Sequence, residues 1–136
     1  MPRHSGRPAA SGPSQRQLRA GELVRHALVD ILAHEEFRDD DLQGVSVTIG
    51  EVRCSPDLKQ ATVFVTPLGD TDPEARERVT AALNRASKFI RGRLGREIDM
   101  KFTPNLRFVA DESYNEAQHI AELLASDRVR RDLDED

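Results

Sequence analysis

Large aromatic side chains are scarce in this chain of 136 residues, which has no tryptophan, one tyrosine and five phenylalanines. We therefore expect a mainly aliphatic core, and the length predicts one domain. No apolar run approaches the roughly 18 residues that would cross a bilayer, and no N-terminal apolar stretch resembles a secretory signal. A single cysteine, Cys54, excludes an internal disulfide and is typical of a protein of the reducing cytosol. These absences predict a cytoplasmic protein with no membrane association.

The sequence also lacks the constellations of an enzyme or a metal protein. It contains no Ser/His/Asp arrangement, P-loop or dinucleotide fingerprint. The possible ligands are scattered without metal-ligand spacing: Cys54, His4, His26, His34 and His119. Glu35-Glu36 and the run from Asp39 to Asp41 could serve as general acids or Mg²⁺ ligands, but a solvated helix end followed by a loop explains them better. We expect no catalytic residue, no cofactor, no metal and no small-molecule substrate.

The charge is unevenly distributed along the chain. The formal net charge is −4, yet the segment from Arg85 to Lys101 holds six basic and two acidic residues. Residues 1–20 contain four arginines and no acidic residue. An acidic protein with two basic zones can still bind a polyanion through those zones.

Composition and periodicity predict the first half of the domain. Residues 1–14, rich in proline, glycine and serine, are predicted to form a disordered basic arm. An apolar stripe at helical spacing predicts a first helix from about Gln15 to Glu36. Alternation at Val45, Val47 and Ile49 predicts a strand, and the change of phase after Gly50 predicts a bulge. A second strand through Ala61, Val63 and Val65 completes a hairpin.

The second half is predicted to be a pair of helices, a strand and a last helix. Asp72-Pro73 is typical of a helix start, and apolar stripes continue through Ala86 and then Ile90 to Ile98. Leu106 and Phe108 lie in a third strand. Ser113-x-x-Glu116 is a capping box ahead of a short helix that ends near residue 126. Residues 127–136 form a charged tail that is expected to be flexible. The fold class is α+β, with a three-stranded sheet and helices on one face.

This order of elements is that of the type II KH domain, an RNA-binding fold. Three stretches, VRCSPDLKQATVFVT, ALNRASKFIRGRLG and TPNLRFVADES, resemble ribosome-binding factor A, a bacterial family that acts in small-subunit maturation. The resemblance covers roughly residues 15–126. It implies a KH-like RNA-binding domain without enzymatic activity. The partners it implies are the small ribosomal subunit precursor and its ribosomal RNA.

The connection between the two central helices has two possible positions. Ordinary KH domains bind the nucleic-acid backbone with a G-x-x-G loop, and Gly92-Arg93-Leu94-Gly95 matches that pattern. A loop there would leave too few residues for a second helix before Pro104. Members of the family instead have an Ala-x-Gly interruption, which the resemblance places at Ala86-Ser87-Lys88, with Lys88 in place of the glycine. The two glycines would then lie on a helix, either as a smooth surface for an RNA backbone or without a role.

The candidate RNA-binding residues are the basic residues of this helical region: Arg85, Lys88, Arg91, Arg93, Arg96 and Lys101. On a helical wheel Lys88 and Arg96 point away from the apolar stripe, and Arg91 and Arg93 lie at its edges. Such residues bind phosphates and specify little sequence. The aromatic side chains that could stack on bases are mostly assigned to the core.

Two functions from different classes remain open. The first is an RNA-binding assembly factor, expected to act as a monomer. The second is a protein–protein interaction domain that binds RNA incidentally. A strong salt dependence of RNA affinity would favour the first. For the basic helix itself, the simpler alternative is an ordinary solvated face.

Overall fold

The computed structural model describes residues 12–68, 72–112 and 123–125. The elements are α1 (Gln15–His34), β1 (Val47–Cys54), β2 (Gln60–Pro67), α2 (Pro73–Arg85), α3 (Ser87–Glu97) and β3 (Asn105–Ala110), which confirms the predicted order through the third strand. Of the predicted last helix, residues 123–125 are described and are helical. Its capping box, the tail 127–136 and residues 1–11 of the arm lie outside the described residues. No helix in the described ranges is long and apolar enough to cross a membrane.

Helix α1 begins with a capping box and ends earlier than predicted. The Ser14 hydroxyl accepts a hydrogen bond from the Gln17 N–H, and the Gln17 side chain accepts one from the Ser14 N–H. The prediction that the helix reaches Glu36 is wrong, because Glu35 is already extended and caps the helix. This early exit lets Phe37 pack against the core and meet the Phe89 ring edge-on at 6.2 Å.

The sheet has the order β1-β2-β3, with β2 in the centre. β1 and β2 pair antiparallel as the predicted hairpin, whereas β2 and β3 run parallel. The register shifts between Ile49 and Glu51, which confirms the bulge predicted at Gly50. Because the phase changes there, Ile49 and Val52 both reach the buried face.

All three helices contribute to one core on one face of the sheet, as predicted for a two-layer α+β domain. The completely or almost completely buried side chains include Val24, Leu28, Val63, Val65, Leu83, Ile90, Leu94 and Phe108. Among the described residues, Phe108 is the one aromatic side chain that is fully buried, and most of the core is aliphatic, as the scarcity of aromatic residues predicts. Gly21 allows the closest helix–sheet approach, because a Cβ atom at this position would lie 2.6 Å from the Val52 carbonyl oxygen.

Asn84 on α2 blocks part of the outer edge of β3. The Asn105 and Asp111 N–H groups donate to carbonyls in and beside β2, so alternate residues of β3 bond to β2. The backbone N–H and carbonyl of Phe108 therefore point away from β2, although its side chain is buried in the core. The Asn84 carboxamide donates to the Phe108 carbonyl and accepts from the Phe108 N–H, both at 2.8 Å. One side chain therefore satisfies both backbone groups that an edge strand would leave unpaired.

Replacing Asn84 by alanine is expected to lower the free energy of unfolding by about 2 kcal/mol, because two part-buried hydrogen bonds are lost. Denaturant titration measures this as a lower midpoint at an unchanged slope. The control is Asn105→Ala, which removes the same group from an exposed position and should change stability by less than about 0.5 kcal/mol. Equal midpoints for the two variants would show that Asn84 does not protect the edge.

Candidate nucleic-acid interface

The break between α2 and α3 consists of a single residue. Ala86 has φ −91° and ψ 4°, and residues on both sides are helical. The Ile90 N–H still donates to the Ala86 carbonyl at 2.9 Å, so the second helix begins without an intervening loop. Gly92 and Gly95 lie inside α3 and not in an interhelical loop. The region therefore presents a bent but nearly continuous helical surface.

The outer surface of α3 carries an uninterrupted ridge of three residues. Ile90 and Leu94 are fully buried, and positions 88, 92 and 96, one helical turn apart, lie on the side away from them. We call Lys88, Gly92 and Arg96 the basic ridge. All three are exposed, and a Cβ atom at Gly92 would meet nothing within 4 Å. The two charged groups are about 12 Å apart along the helix axis.

The basic residues of the ridge differ from the other candidates because their side chains have no partner in the described part of the chain. Among the described residues, neither Lys88 nor Arg96 has a hydrogen bond, an ion pair or a ring contact. Both retain their donors for a ligand, and the Arg96 guanidinium can bind a phosphate through two parallel hydrogen bonds.

Arg85, by contrast, is bound within the protein. Its guanidinium lies 2.9 Å from an Asp39 carboxylate oxygen and 3.2 Å from one of Asp41. The Asp41 backbone N–H, and then the Arg85 guanidinium, lower the pKa of the Asp39 carboxyl from its ordinary value. The hydrogen bond that Arg85 donates to the Asp39 carboxylate raises the pKa of Arg85 in turn. Arg85 therefore joins α2 to the acidic turn that follows α1.

Arg91 and Arg93 hold the two sides of α3 to neighbouring segments. Arg91 donates to the Thr103 carbonyl at 2.7 Å and to the Pro104 carbonyl at 3.2 Å, which fixes the connection from α3 to β3. Arg93 lies 3.3 Å from a Glu35 carboxylate oxygen and over the Phe89 ring at 5.5 Å. Both residues face the edges of the helix, as the helical wheel indicates, and both have structural partners.

Two aromatic rings lie at the surface beside these basic side chains. Phe89 is 48% exposed and Phe102 is 60% exposed, so the assignment of most aromatic side chains to the core is wrong for these two. The Lys101 ammonium lies 5.6 Å from the Phe102 ring. Tyr114 lies outside the described residues. Exposed rings next to cations are able to stack on unpaired RNA bases.

The six candidate residues are therefore not equivalent. Four of them already have partners within the protein, and Lys88 and Arg96 remain available to a ligand. Sequence reasoning grouped all six because the residues that bind Arg85, Arg91 and Arg93, within 35–41 and 103–104, are distant in sequence from them. One signal was present: an acidic run at residues 39–41 needs compensation once the chain folds.

No group in the described residues has the arrangement of a metal centre or an activated nucleophile. No three His, Cys, Asp or Glu side chains are close enough there to hold a metal ion. Burial raises the pKa of the Cys54 thiol, which disfavours the reactive thiolate. The groups that this surface offers to a ligand are the basic side chains and exposed rings described above.

The order helix–strand–strand–helix–helix–strand, with a bent α2–α3 pair on one face of the sheet, defines a KH-like domain of type II. Comparison with known proteins agrees. Ribosome-binding factor A from Thermus thermophilus superposes with a TM-score of 0.56 over 69% of this chain and 93% of that chain, at 24% identity. A homology model of the Thermus thermophilus factor, fitted into a cryo-EM map of a 30S complex, gives 0.51 over 68% of this chain and 91% of that one, at 22% identity.

Sequence comparison assigns the family within this class. The ribosome-binding factor A sequence model matches residues 16–124. Ribosome-binding factor A from Hyphomonas neptunium is 64% identical over 122 residues, which cover 90% of each chain. The chain belongs to the ribosome-binding factor A family.

Proposed function

We propose that this protein is a non-enzymatic RNA-binding assembly factor that associates with immature small ribosomal subunits and assists late maturation and processing of their RNA. Membership of the ribosome-binding factor A family carries the proposal. The Thermus thermophilus relative fitted into a 30S complex supports the small subunit as partner. The protein acts as a cytoplasmic monomer.

The basic ridge supports RNA as the component that is bound. A rigid helix displays Lys88 and Arg96 without internal partners, and Gly92 between them leaves room for a sugar–phosphate backbone. The exposed rings of Phe89 on α3 and Phe102, which follows α3, add stacking surfaces. Contacts of this kind bind by charge and shape, so the ribosomal context supplies most of the sequence specificity.

Binding alone is sufficient for an assembly role. A protein that binds one RNA conformation more tightly than another shifts the equilibrium between them by its differential affinity. The same difference accounts for release, because a mature subunit that binds the factor less tightly lets it dissociate.

Deletion of the gene is expected to increase the pool of free small subunits that contain incompletely processed RNA. The effect should be largest at low temperature, where misfolded RNA refolds slowly. Sucrose gradients together with mapping of the ribosomal RNA ends measure it, and a plasmid copy of the gene provides the control. Normal gradients and mature RNA ends in the deletion strain at low temperature would contradict the proposal.

The competing function is a protein-interaction domain, for which RNA binding is incidental. Salt dependence separates the two, because each phosphate neutralised on single-stranded RNA contributes about −0.7 to the slope of log affinity against log salt. Binding through about four phosphates predicts a slope near −3, and more phosphates make it steeper. A slope close to zero would favour the interaction domain.

A further inference from the structure

A cleft lies at the end of the molecule where α1 stops and the chain turns into β1. Its volume is about 680 Å³, and its lining includes Leu32, Leu42, Val45, Val47 and Leu83. These side chains make the floor apolar. Val29 at its margin on α1 is 46% exposed, so the apolar surface continues out of the cleft. The cleft lining includes none of the basic-ridge residues, and the cleft is not used in the function proposed above.

The cleft borders an edge of β1 that no strand among the described residues covers. The Leu68 N–H donates to the Ser46 carbonyl at 2.8 Å, whereas Val47 stands opposite Pro67, which has no N–H. Because antiparallel residues bond to the neighbouring strand alternately, the Val47 N–H and carbonyl point away from β2. The Val45 N–H is already bonded to the Leu42 carbonyl, so the open edge begins at the Val45 carbonyl.

Helix α1 covers the later part of this edge, at Val52 and Cys54. The Gln17 side chain donates to the Cys54 carbonyl at 2.9 Å, and Gly21 lies against the Val52 carbonyl. Native proteins usually protect an edge strand, as Gln17 does here and Asn84 does on β3. An edge left open beside an apolar cleft is suited to strand addition by a peptide.

The rim of the cleft is acidic. Glu35 and Glu36 line the cleft, and the nearby Asp39 and Asp41 are paired with Arg85. Glu36 is exposed and has no recorded partner among the described residues, whereas Glu35 pairs with Arg93. The Glu36 carboxylate is therefore the group at the rim that can attract a lysine or arginine side chain.

We propose that this cleft binds an extended basic segment of a partner protein, which adds a short strand to β1 at Val45–Val47. Alternate side chains of the segment would point into the apolar floor, and lysine or arginine side chains would meet Glu36 at the rim. Basic segments of ribosomal proteins have this chemistry. The proposal does not depend on RNA binding by the basic ridge, which lies on another element.

The test uses the full-length protein and a fluorescein-labelled peptide in which lysine or arginine alternates with valine. We expect saturable binding by anisotropy, and chemical-shift changes concentrated at the amides of residues 45–49. A peptide with glutamate in place of the basic residues should not bind. The same basic peptide with alternate backbone nitrogens methylated should also fail, because it has lost the donors that pair with β1.

Two protein variants test the edge and the rim separately. Val47→Pro removes an outward N–H without touching the β2 ladder and should weaken binding about tenfold. Glu36→Lys should weaken it about fivefold. The control, Glu77→Lys, makes the same charge change at an exposed position on α2 outside the cleft and should change affinity by less than about twofold. Far-ultraviolet circular dichroism verifies folding, and Glu36→Lys remains informative if Val47→Pro does not fold.

Several results would overturn the proposal. Equal binding of the acidic and basic peptides would exclude recognition of basic side chains. Unchanged affinity of the Glu36→Lys protein, together with binding of the methylated peptide, would exclude both the contact with Glu36 and the strand pairing with β1. The chain has its own basic residues Arg128, Arg130 and Arg131 near its end. If the double variant Arg130→Glu, Arg131→Glu changes the amide chemical shifts of residues 45–49 in the absence of peptide, the chain's own tail occupies the cleft, and the proposed partner is wrong.

Discussion

Replacing Lys88 and Arg96 together by glutamate is expected to lower the affinity for single-stranded ribosomal RNA by more than tenfold, a loss above about 1.4 kcal/mol. The substitution removes two unpaired cations and places two anions on the ridge where phosphates would lie. The slope of log affinity against log salt should become shallower by about 1.4, since two phosphate contacts are lost. Fluorescence anisotropy at several salt concentrations measures both quantities.

The design leaves the other four candidate residues unchanged. Arg91 holds the Thr103 and Pro104 carbonyls and Arg85 holds the acidic turn, so their loss would alter the fold as well as the charge. A matched control, Lys59→Glu with Arg78→Glu, makes the same net charge change at exposed positions off the ridge and should retain most of the affinity. If the ridge variant is folded and binds RNA as tightly as the parent, the ridge is an ordinary solvated face.

The same substitution, glycine to alanine, is expected to have opposite effects in two helices. Helix propensity favours alanine by about 1 kcal/mol at either position. At Gly21 the new methyl group would lie 2.6 Å from the Val52 carbonyl oxygen, and neither backbone can move without separating α1 from β1. This overlap outweighs the propensity gain, because overpacking a closed interface costs up to about 3 kcal/mol. We expect the free energy of unfolding to fall by about 2 kcal/mol in Gly21→Ala and to rise by about 1 kcal/mol in Gly92→Ala.

Denaturant unfolding of the two variants measures this difference directly, and each variant serves as the control for the other. A Gly21→Ala protein as stable as the parent would show that α1 does not need glycine to approach the sheet. RNA affinity of the Gly92→Ala protein also decides between the two interpretations of that residue. A several-fold loss indicates that an RNA backbone passes over it, and unchanged affinity indicates a tolerated glycine.

Features that depend on neighbouring residues could be predicted from the sequence. The hairpin, the bulge at Gly50, the helix start at Asp72-Pro73 and the helical state of Gly92–Gly95 follow from alternation, turn chemistry and the length left before Pro104. Local chemistry determines these features, and the tertiary fold agrees with it. The helix end at His34 was missed because Phe37 must turn into a core formed by distant elements.

The candidate site could be predicted only in part, for a related physical reason. A helical wheel shows which side of α3 faces solvent, and it placed Lys88 and Arg96 correctly there. It cannot show that Arg85 meets Asp39 from another element, or that Phe89 and Phe102 stay exposed. The parallel pairing of β2 with β3 and the open edge at Val47 are equally non-local. Sequence patterns therefore located the basic surface, and the structure identified which of its charges are available.

The most direct measurement of the central claim is the affinity of the fluorescently labelled full-length protein for small subunits at two stages of maturation. The subunits are purified from a strain that accumulates precursors and from a normal strain, and they are titrated at the same salt concentration. We expect tighter binding to precursor subunits, by at least about tenfold, and loss of that preference in the Lys88→Glu, Arg96→Glu protein. Equal affinity for precursor and mature subunits, or no binding to either, would contradict the proposal that this protein assists the maturation of the small subunit.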